Sequence, residues 1–314
     1  MARRWKRLAV MAFVLAGGML AAADEAMGQA AAAPARPGGR TRVVMLGTGV
    51  PVPDPNRFGS AVVVLVDSTP YLFDMGAGVV RRWAAALQTG IGSSSQPALR
   101  TVFVTHLHSD HTVGYADLIF TTWTVETRPR RPLNVYGPKG LQSMTDHILA
   151  AYAEDVAIRT GPGGESEGDA PPVVRVHEVT PGVVYRDSLV TVTAFAVHHG
   201  TWPQAFGYRV QTPDKTIVLS GDAAPPSAIA EQCHGCDLLL HEGGSRLAAE
   251  ARPYFHRFHT TVEEMAAVAK AAQPKLLVLY HQLPAGPDAE RAYAALRSLY
   301  PGPFVVARDL DVYR

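Results

Sequence analysis

His106-Leu107-His108-Ser109-Asp110-His111 constrains this chain more than any other stretch. An apolar run, Thr101 to Val104, leads into it and reads as a buried strand. Extended backbone alternates its side chains, so His106 and His108 share one face. Asp110 and His111 then fall at the turn into the next helix. Two imidazoles face one metal, and a carboxylate with an imidazole faces a second close by. Imidazole and carboxylate are the ligands of catalytic zinc, and paired metals suit the hydrolysis of charged esters. A His-rich surface turn is the plainer reading, but chance yields such a pattern in roughly one chain per thousand.

The 314 residues are 47% hydrophobic and 18% charged, enough for one large core. The N-terminus is of another kind. Arg3, Arg4, Lys6 and Arg7 precede a 16-residue apolar run, Leu8 to Ala23, and then small residues. That run is short for a membrane span, which needs about 20 residues. It predicts a signal peptide over 1–30, a flexible stem over 31–41 and a hydrolase domain over 42–314, periplasmic or secreted. An uncleaved anchor is the alternative; with the signal removed, no stable membrane insertion is expected.

Export changes the charge argument. The formal net charge of +1 falls to about −3 without residues 1–23, or about −1 after cleavage at Ala30. Such a domain lacks the basic surplus of a nucleic-acid binder, so nucleic acid is disfavoured as a partner. The dense basic run Arg128, Arg130 and Arg131 reads as a solvated turn. Cys233 and Cys236 are too few for a zinc site and read as a local disulfide or two inert thiols. The sequence leaves a homodimer open.

Strand-like segments fall at 42–46, 61–66 and 71–74, followed by a helix from Val79 to Leu87. Helices are predicted near 113–124 and 139–154, a strand at 133–136, and an acidic loop over 161–172. A second block has strands at 173–179, 189–197, 205–211, 216–220, 237–241 and 275–280, and helices near 226–232, 261–272 and 287–299. Strands followed by helices, twice over, predict an α/β protein with two sheets back to back and helices outside. His198-His199-Gly200, Ser220-Gly221-Asp222 and His281 each sit just past a buried strand.

The chain resembles the metallo-β-lactamase superfamily, in the branch holding ribonuclease Z and the arylsulfatase-like hydrolases. The resemblance rests on Leu46-Gly47-Thr48-Gly49, Leu72-Phe73-Asp74-Met75-Gly76, the histidine cluster, Val135-Tyr136-Gly137-Pro138, Gly207-Tyr208-Arg209, Ser220-Gly221-Asp222, His241-Glu242, His259-Thr260-Thr261 and His281. It implies a four-layer αββα sandwich and two Zn2+ per chain. It implies that His106, His108 and His199 bind the first zinc, that Asp110, His111 and His281 bind the second, and that Asp222 bridges them. His199 is preferred to His198 because it directly precedes glycine. Asp110 and His259 are then the catalytic residues, His259 as general acid, while Asp74 supports the metal-bearing loop by hydrogen bonds. In isolation His259 is a polar residue at a helix start, with Thr260 or Thr261 as its cap. His241 and Glu242 are read as a supporting pair, and His147, His177, His234 and His256 as ordinary. Trp123, Trp202, Tyr254 and Phe255 are candidates to line a pocket, or to lie in the core.

The expected chemistry is attack on an ester by a hydroxide that bridges the zinc ions. Ribonuclease Z enzymes usually carry a long arm between the third zinc histidine and the bridging aspartate. Here 22 residues separate His199 from Asp222, and Glu165, Glu167 and Asp169 would repel a polyanion. The expectation is therefore an exported hydrolase of small sulfate or phosphate (di)esters, arylsulfatase- or phosphodiesterase-like. Ribonuclease Z-type tRNA 3′-processing is one alternative, and a non-catalytic metal-binding protein on the same fold is another.

Overall fold

Six consecutive apolar residues, Ala61–Val66, need cover on both faces of any strand they form, and in the computed structural model all six are buried. The structure describes residues 40–91, 99–125, 130–225, 228–282 and 286–314. The expected signal peptide, nearly all of the stem and Arg128 lie outside the described residues.

The first sheet contains β1 (Thr41–Gly47), β2 (Ala61–Val66), β3 (Thr69–Phe73), β4 (Thr101–Phe103), β5 (Leu133–Gly137) and β6 (Val174–Glu178). The second contains β7 (Gly182–Arg186), β8 (Thr191–Ala196), β9 (Phe206–Gln211), β10 (Thr216–Leu219), β11 (Leu238–His241), β12 (Leu276–Leu279) and β13 (Phe304–Val306). A last strand, β14 (Val312–Tyr313), returns to the first sheet beside β1, giving the order β14-β1-β2-β3-β4-β5-β6. The second sheet runs β13-β12-β11-β10-β9-β8-β7.

Strand alternation divides the apolar residues into separate layers. Val43, Met45, Val62, Val64 and Phe73 interleave with Val192, Tyr208, Ile217, Leu240 and Val278 between the sheets. Residues of the other parity, Val44, Leu46, Val63 and Leu65, pack outward. They meet α1 (Val79–Gln88), α3 (Tyr115–Val125) and α4 (Leu141–Ala151). On the far side Val218, Leu239 and Leu277 pack against α6 (Ile229–Cys233), α8 (Val262–Ala272) and α9 (Pro287–Leu299). This is the expected four-layer αββα sandwich. Between these helices lie α2 (Ser109–Thr112), α5 (Ala153–Thr160) and α7 (Phe255–Phe258). Among the described residues no helix is long and apolar enough to cross a membrane.

Three strands differ from expectation. β7, β13 and β14 pair at sheet edges, where half-exposed residues carry no clear alternation. The helix expected over 139–154 breaks at Tyr152 (φ −107°, ψ 14°) into α4 and α5. Cys233 and Cys236 form a disulfide at the end of α6.

β3 to β6 run parallel, as do β10 to β13. The candidate ligands follow the C-terminal ends of β4, β8, β10 and β12, so the topology delivers them to one end of the sandwich. There the Phe206 N–H donates to the Thr105 carbonyl (2.9 Å), joining the sheets beside His106.

Candidate metal centre

The loop after β4 is held against the β3–α1 turn. The Met75 N–H donates to the His111 carbonyl (2.8 Å) and the Gly114 N–H to the Met75 carbonyl (2.9 Å). The approach requires glycine at 76, since a Cβ there would stand 2.4 Å from the Asp110 carbonyl oxygen. Asp74 adopts φ 57°, a left-handed conformation that costs about 1–2 kcal/mol in a residue with a side chain. Its carboxylate offsets that cost by accepting from the Thr105 N–H (2.8 Å) and hydroxyl, and from His111 Nδ1 (2.8 Å). Gly221 turns with φ 59° to present Asp222, and His281 leaves β12 with φ 55°.

Each of these hydrogen bonds orients a ring. His199 Nδ1 donates to the Phe258 carbonyl (2.7 Å), and His281 Nδ1 to the Gly49 carbonyl (2.8 Å). The Thr105 hydroxyl lies 3.0 Å from His106 Nδ1. In every case Nε2 is left pointing inward, the arrangement that supporting groups impose on metal-binding histidines.

Two groups of ligand-type atoms result. His106, His108, His199 and Asp222 form one, and Asp110, His111 and His281 the other, each with its ligand atoms within 4.8 Å. Asp222 reaches both: Oδ1 is 3.3 Å from His111 Nε2, and Oδ2 lies 3.2 Å from His281 Nε2 and 3.8 Å from His199 Nε2. Asp110 Oδ2, His111 Nε2 and Asp222 Oδ1 are buried and make no hydrogen bond. Buried polar atoms are rarely left so. Three of them converging, all of ligating type, fit a cation at this point.

The electrostatics agree. Burial holds His106 well below the usual histidine range and His199 at about 4, leaving both neutral, the form that ligates. At His111 burial also opposes charge, but Asp222 and Asp74 outweigh it and raise the ring well above its ordinary value. Asp222 in turn is held well below the carboxylate range, because His281 and His111 overcome the cost of its burial. A buried site that protonates its own histidine is short of positive charge.

Beside the cluster, His259 Nδ1 lies 3.2 Å from Glu242 Oε2. Burial works against protonating His259, yet Glu242 raises it to about 9. Thr261 is the helix cap, accepting from the Glu264 N–H, so His259 is spared that task. A cavity of about 280 Å³ opens between Asp110, Asp222, His259 and His281, rimmed by Val52, Arg246 and Tyr254.

The other candidates are separated by position. His199 lies in the cluster, whereas His198 is exposed and its carbonyl accepts from the Ala224 N–H. His241 is buried outside it, its Nδ1 accepting from the Gly243 N–H. Trp202 packs edge-on against His108, and Tyr254 and Phe255 line the cavity. Trp123 is remote, donating to the Ala170 carbonyl. His147 is exposed, and His177 stacks on Tyr136. Arg246 has no counterpart among the sequence expectations. The only signal for it was its nearness to His241-Glu242, and an isolated arginine shows no charge run.

A sequence family described as "Beta-lactamase superfamily domain" matches residues 64–282. Ribonuclease Z of Mycobacterium sp. (strain KMS) is 36% identical over 247 residues, covering 77% of this chain and 84% of that one. Ribonuclease Z of Mycobacterium bovis (strain BCG / Pasteur 1173P2) is 30% identical over 276 residues, 85% and 96% of the two chains. Among solved structures, the short form of human tRNase Z superposes with a TM-score of 0.64 at 24% identity, covering 87% of this chain and 98% of that one. YhfI from Bacillus subtilis, a metallo-beta-lactamase fold protein, gives a TM-score of 0.67 at 16% identity, covering 87% and 99%. The His/Asp cluster on this fold marks a metal-binding site.

These relatives overturn the expectation of a hydrolase for small sulfate or phosphate esters that avoids nucleic acid. The charge argument behind that expectation fails for a physical reason. Glu165 pairs with Arg159, Asp169 pairs with Arg130, and Glu167 accepts from the Gly163 N–H. The acidic loop is thus engaged within itself and with its neighbours. It packs by Asp169 near Leu133 and Val174, at the starts of β5 and β6, whereas the metal cluster lies beyond the strands' other ends.

Proposed function

We propose, because this chain belongs to the beta-lactamase superfamily and to its ribonuclease Z relatives, that it is a two-zinc endonuclease cutting an RNA phosphodiester at the 3′ end of a tRNA precursor. The observation that carries this reading is the His259–Glu242 pair standing beside a seven-residue His/Asp cluster, in a chain 36% identical to a ribonuclease Z.

In this reading His106, His108 and His199 would hold one zinc and Asp110, His111 and His281 the other, with Asp222 standing between the two groups. Zinc held by these residues would supply Lewis acidity toward the phosphoryl oxygens and would lower the pKa of the attacking water. Asp110 Oδ2, buried at the cavity and without a hydrogen bond, would face the cation, which leaves the other carboxylate oxygen, Oδ1, to take that water's proton. His259 gives the proton to the departing oxygen. Glu242 keeps the ring protonated at neutral pH by its negative charge 3.2 Å away. The walls of the cavity, chiefly Val50, Val52 and Phe255, limit the water around the reacting group.

The test is cleavage of a pre-tRNA carrying a 3′ trailer by zinc-reconstituted protein, with the new ends mapped. Site-specific cutting that requires about two zinc ions per chain supports the reading. Fully loaded protein that leaves the RNA intact while hydrolysing a small phosphodiester overturns it. Export is a separate proposal, supported by the basic, apolar and small-residue order of residues 1–30; cell fractionation tests it. An exported enzyme of this kind would meet RNA outside the cytoplasm.

A further inference from the structure

The segment between β11 and α8 forms one lip of the metal cavity, and its charge is lopsided. Arg246, Arg252 and Arg257 lie on it, with no ion pair or side-chain hydrogen bond to any described residue. Of its two carboxylates, Glu242 is buried against His259, and Glu250 is engaged by Arg291 of α9 (3.1 Å). Arg246 reaches the cavity itself, on whose wall stand Asp222, His259 and His281. Tyr254 lines the same cavity while 52% exposed, so its ring is open to a ligand at the mouth.

The lip is firmly placed. Phe255 is buried beneath it. The Arg257 carbonyl accepts from the Gly200 N–H (2.7 Å), and the Phe258 carbonyl accepts from His199 Nδ1 (2.7 Å). The turn that carries the arginines therefore also orients a candidate metal ligand. The backbone that carries Arg257 is thereby anchored to the metal cluster.

We propose that this lip binds a single-stranded stretch of RNA next to the scissile bond. Arg246 takes a phosphate at the mouth of the cavity, Tyr254 stacks on a base, and Arg252 and Arg257 follow the backbone outward. Cations tracking the backbone with an aromatic ring between them is the chemistry that holds unpaired strands. A duplex offers no base face to Tyr254. The inference rests on the proposed function, since it assigns the substrate's flank at that same site.

Equilibrium binding of a labelled single-stranded RNA oligonucleotide to the zinc-loaded protein, measured across salt concentration, tests it apart from cleavage. Tyr254→Ala should weaken binding roughly tenfold. The triple variant Arg246→Gln/Arg252→Gln/Arg257→Gln should weaken it further and reduce the salt slope by about two. A blunt RNA duplex should bind less tightly to the wild type and lose little on Tyr254→Ala. Circular dichroism of each variant checks that it is folded. An unchanged salt slope in the triple variant overturns the inference, as does equal loss of duplex and single strand on Tyr254→Ala. Polyglutamate competing as well as RNA at equal charge also overturns it, by marking an acidic-protein surface. Wild-type protein that binds the oligonucleotide through the lip but cuts no RNA keeps the surface and removes the proposed activity.

Discussion

Charged side chains gather at both ends of the first sheet, and the two gatherings have opposite character. Where β5 and β6 begin, Arg130 meets Asp169, donates to Ser166 (3.2 Å) and lays its guanidinium over Trp123, 5.1 Å from the ring centroid. The Trp123 indole N–H completes the clip by donating to the Ala170 carbonyl. Past the end of β4, the carboxylates of Asp110 and Asp222 and the imidazole of His111 converge with buried atoms that bond to nothing. In the first region Arg130 is paired with Asp169 and a loop is fastened, with Arg130 Nε buried and left without a hydrogen bond. In the second, groups that could hold a metal ion come together without a Lys or Arg among them. Unsatisfied polar atoms in a packed interior are expensive, and the convergence of three of ligating type, two carboxylate oxygens and an imidazole nitrogen, separates a site from a staple.

Removing Asp222 should do the most damage, because it alone reaches both groups. Asp222→Ala should lower zinc content below two per chain and kcat/KM at least roughly a thousandfold, several kcal/mol of lost charge stabilisation. Metal analysis beside steady-state kinetics checks both. His259→Ala should leave the metals in place and lower kcat about a hundredfold or more.

Glu242→Gln tests the same proton through pH. Glu242 raises His259 to about 9 in the metal-free protein, and bound dications lower it from there. The alkaline limb of the pH–rate profile should therefore lie below about 9. Losing the Glu242 charge should move it down by roughly one to three units. A limb that stays in place means that another group supplies the proton. Next in size is Asp74→Asn, which loosens His111 and should weaken zinc binding about 10- to 100-fold, read by titration with a competing chelator.

What could be read from the chain divides along the same line. The loop around His106 was legible because strand alternation and local spacing place four candidate ligands within six residues. The rest of the candidate centre needed three chain turns that spacing alone does not specify. Asp74 and His281 both sit at positive φ just after buried strands, and spacing alone does not say where the chain will turn. Gly76 matters through a contact with Asp110, 34 residues away in sequence. Charge was the least legible quantity. Three arginines spread over residues 246–257 show no run, and the acidic loop 161–172 looks repulsive until its partners Arg130 and Arg159 are seen. The layers of the fold followed from apolar runs such as Ala61–Val66. The edge strands β7, β13 and β14 did not, because exposure on one side and short length leave no pattern to read.

The smallest expected effect on catalysis comes from the other region, and it is the one that can break the comparison. Arg130→Met removes the pair with Asp169, the bond to Ser166 and the cation over Trp123, all at side chains that are mostly buried. Thermal and urea unfolding should show a loss of about 1–3 kcal/mol. Met retains most of the apolar stem that packs there, so the loss is of polar contacts and little of volume. Since nothing in this clip touches the metal cluster, kcat/KM should stay within about twofold at a temperature where the variant is folded. A tenfold fall in kcat/KM with unfolding unchanged would mean that the arginine end of the sheet takes part in binding substrate. Satisfied ion pairs would then no longer mark a merely structural cluster in this protein.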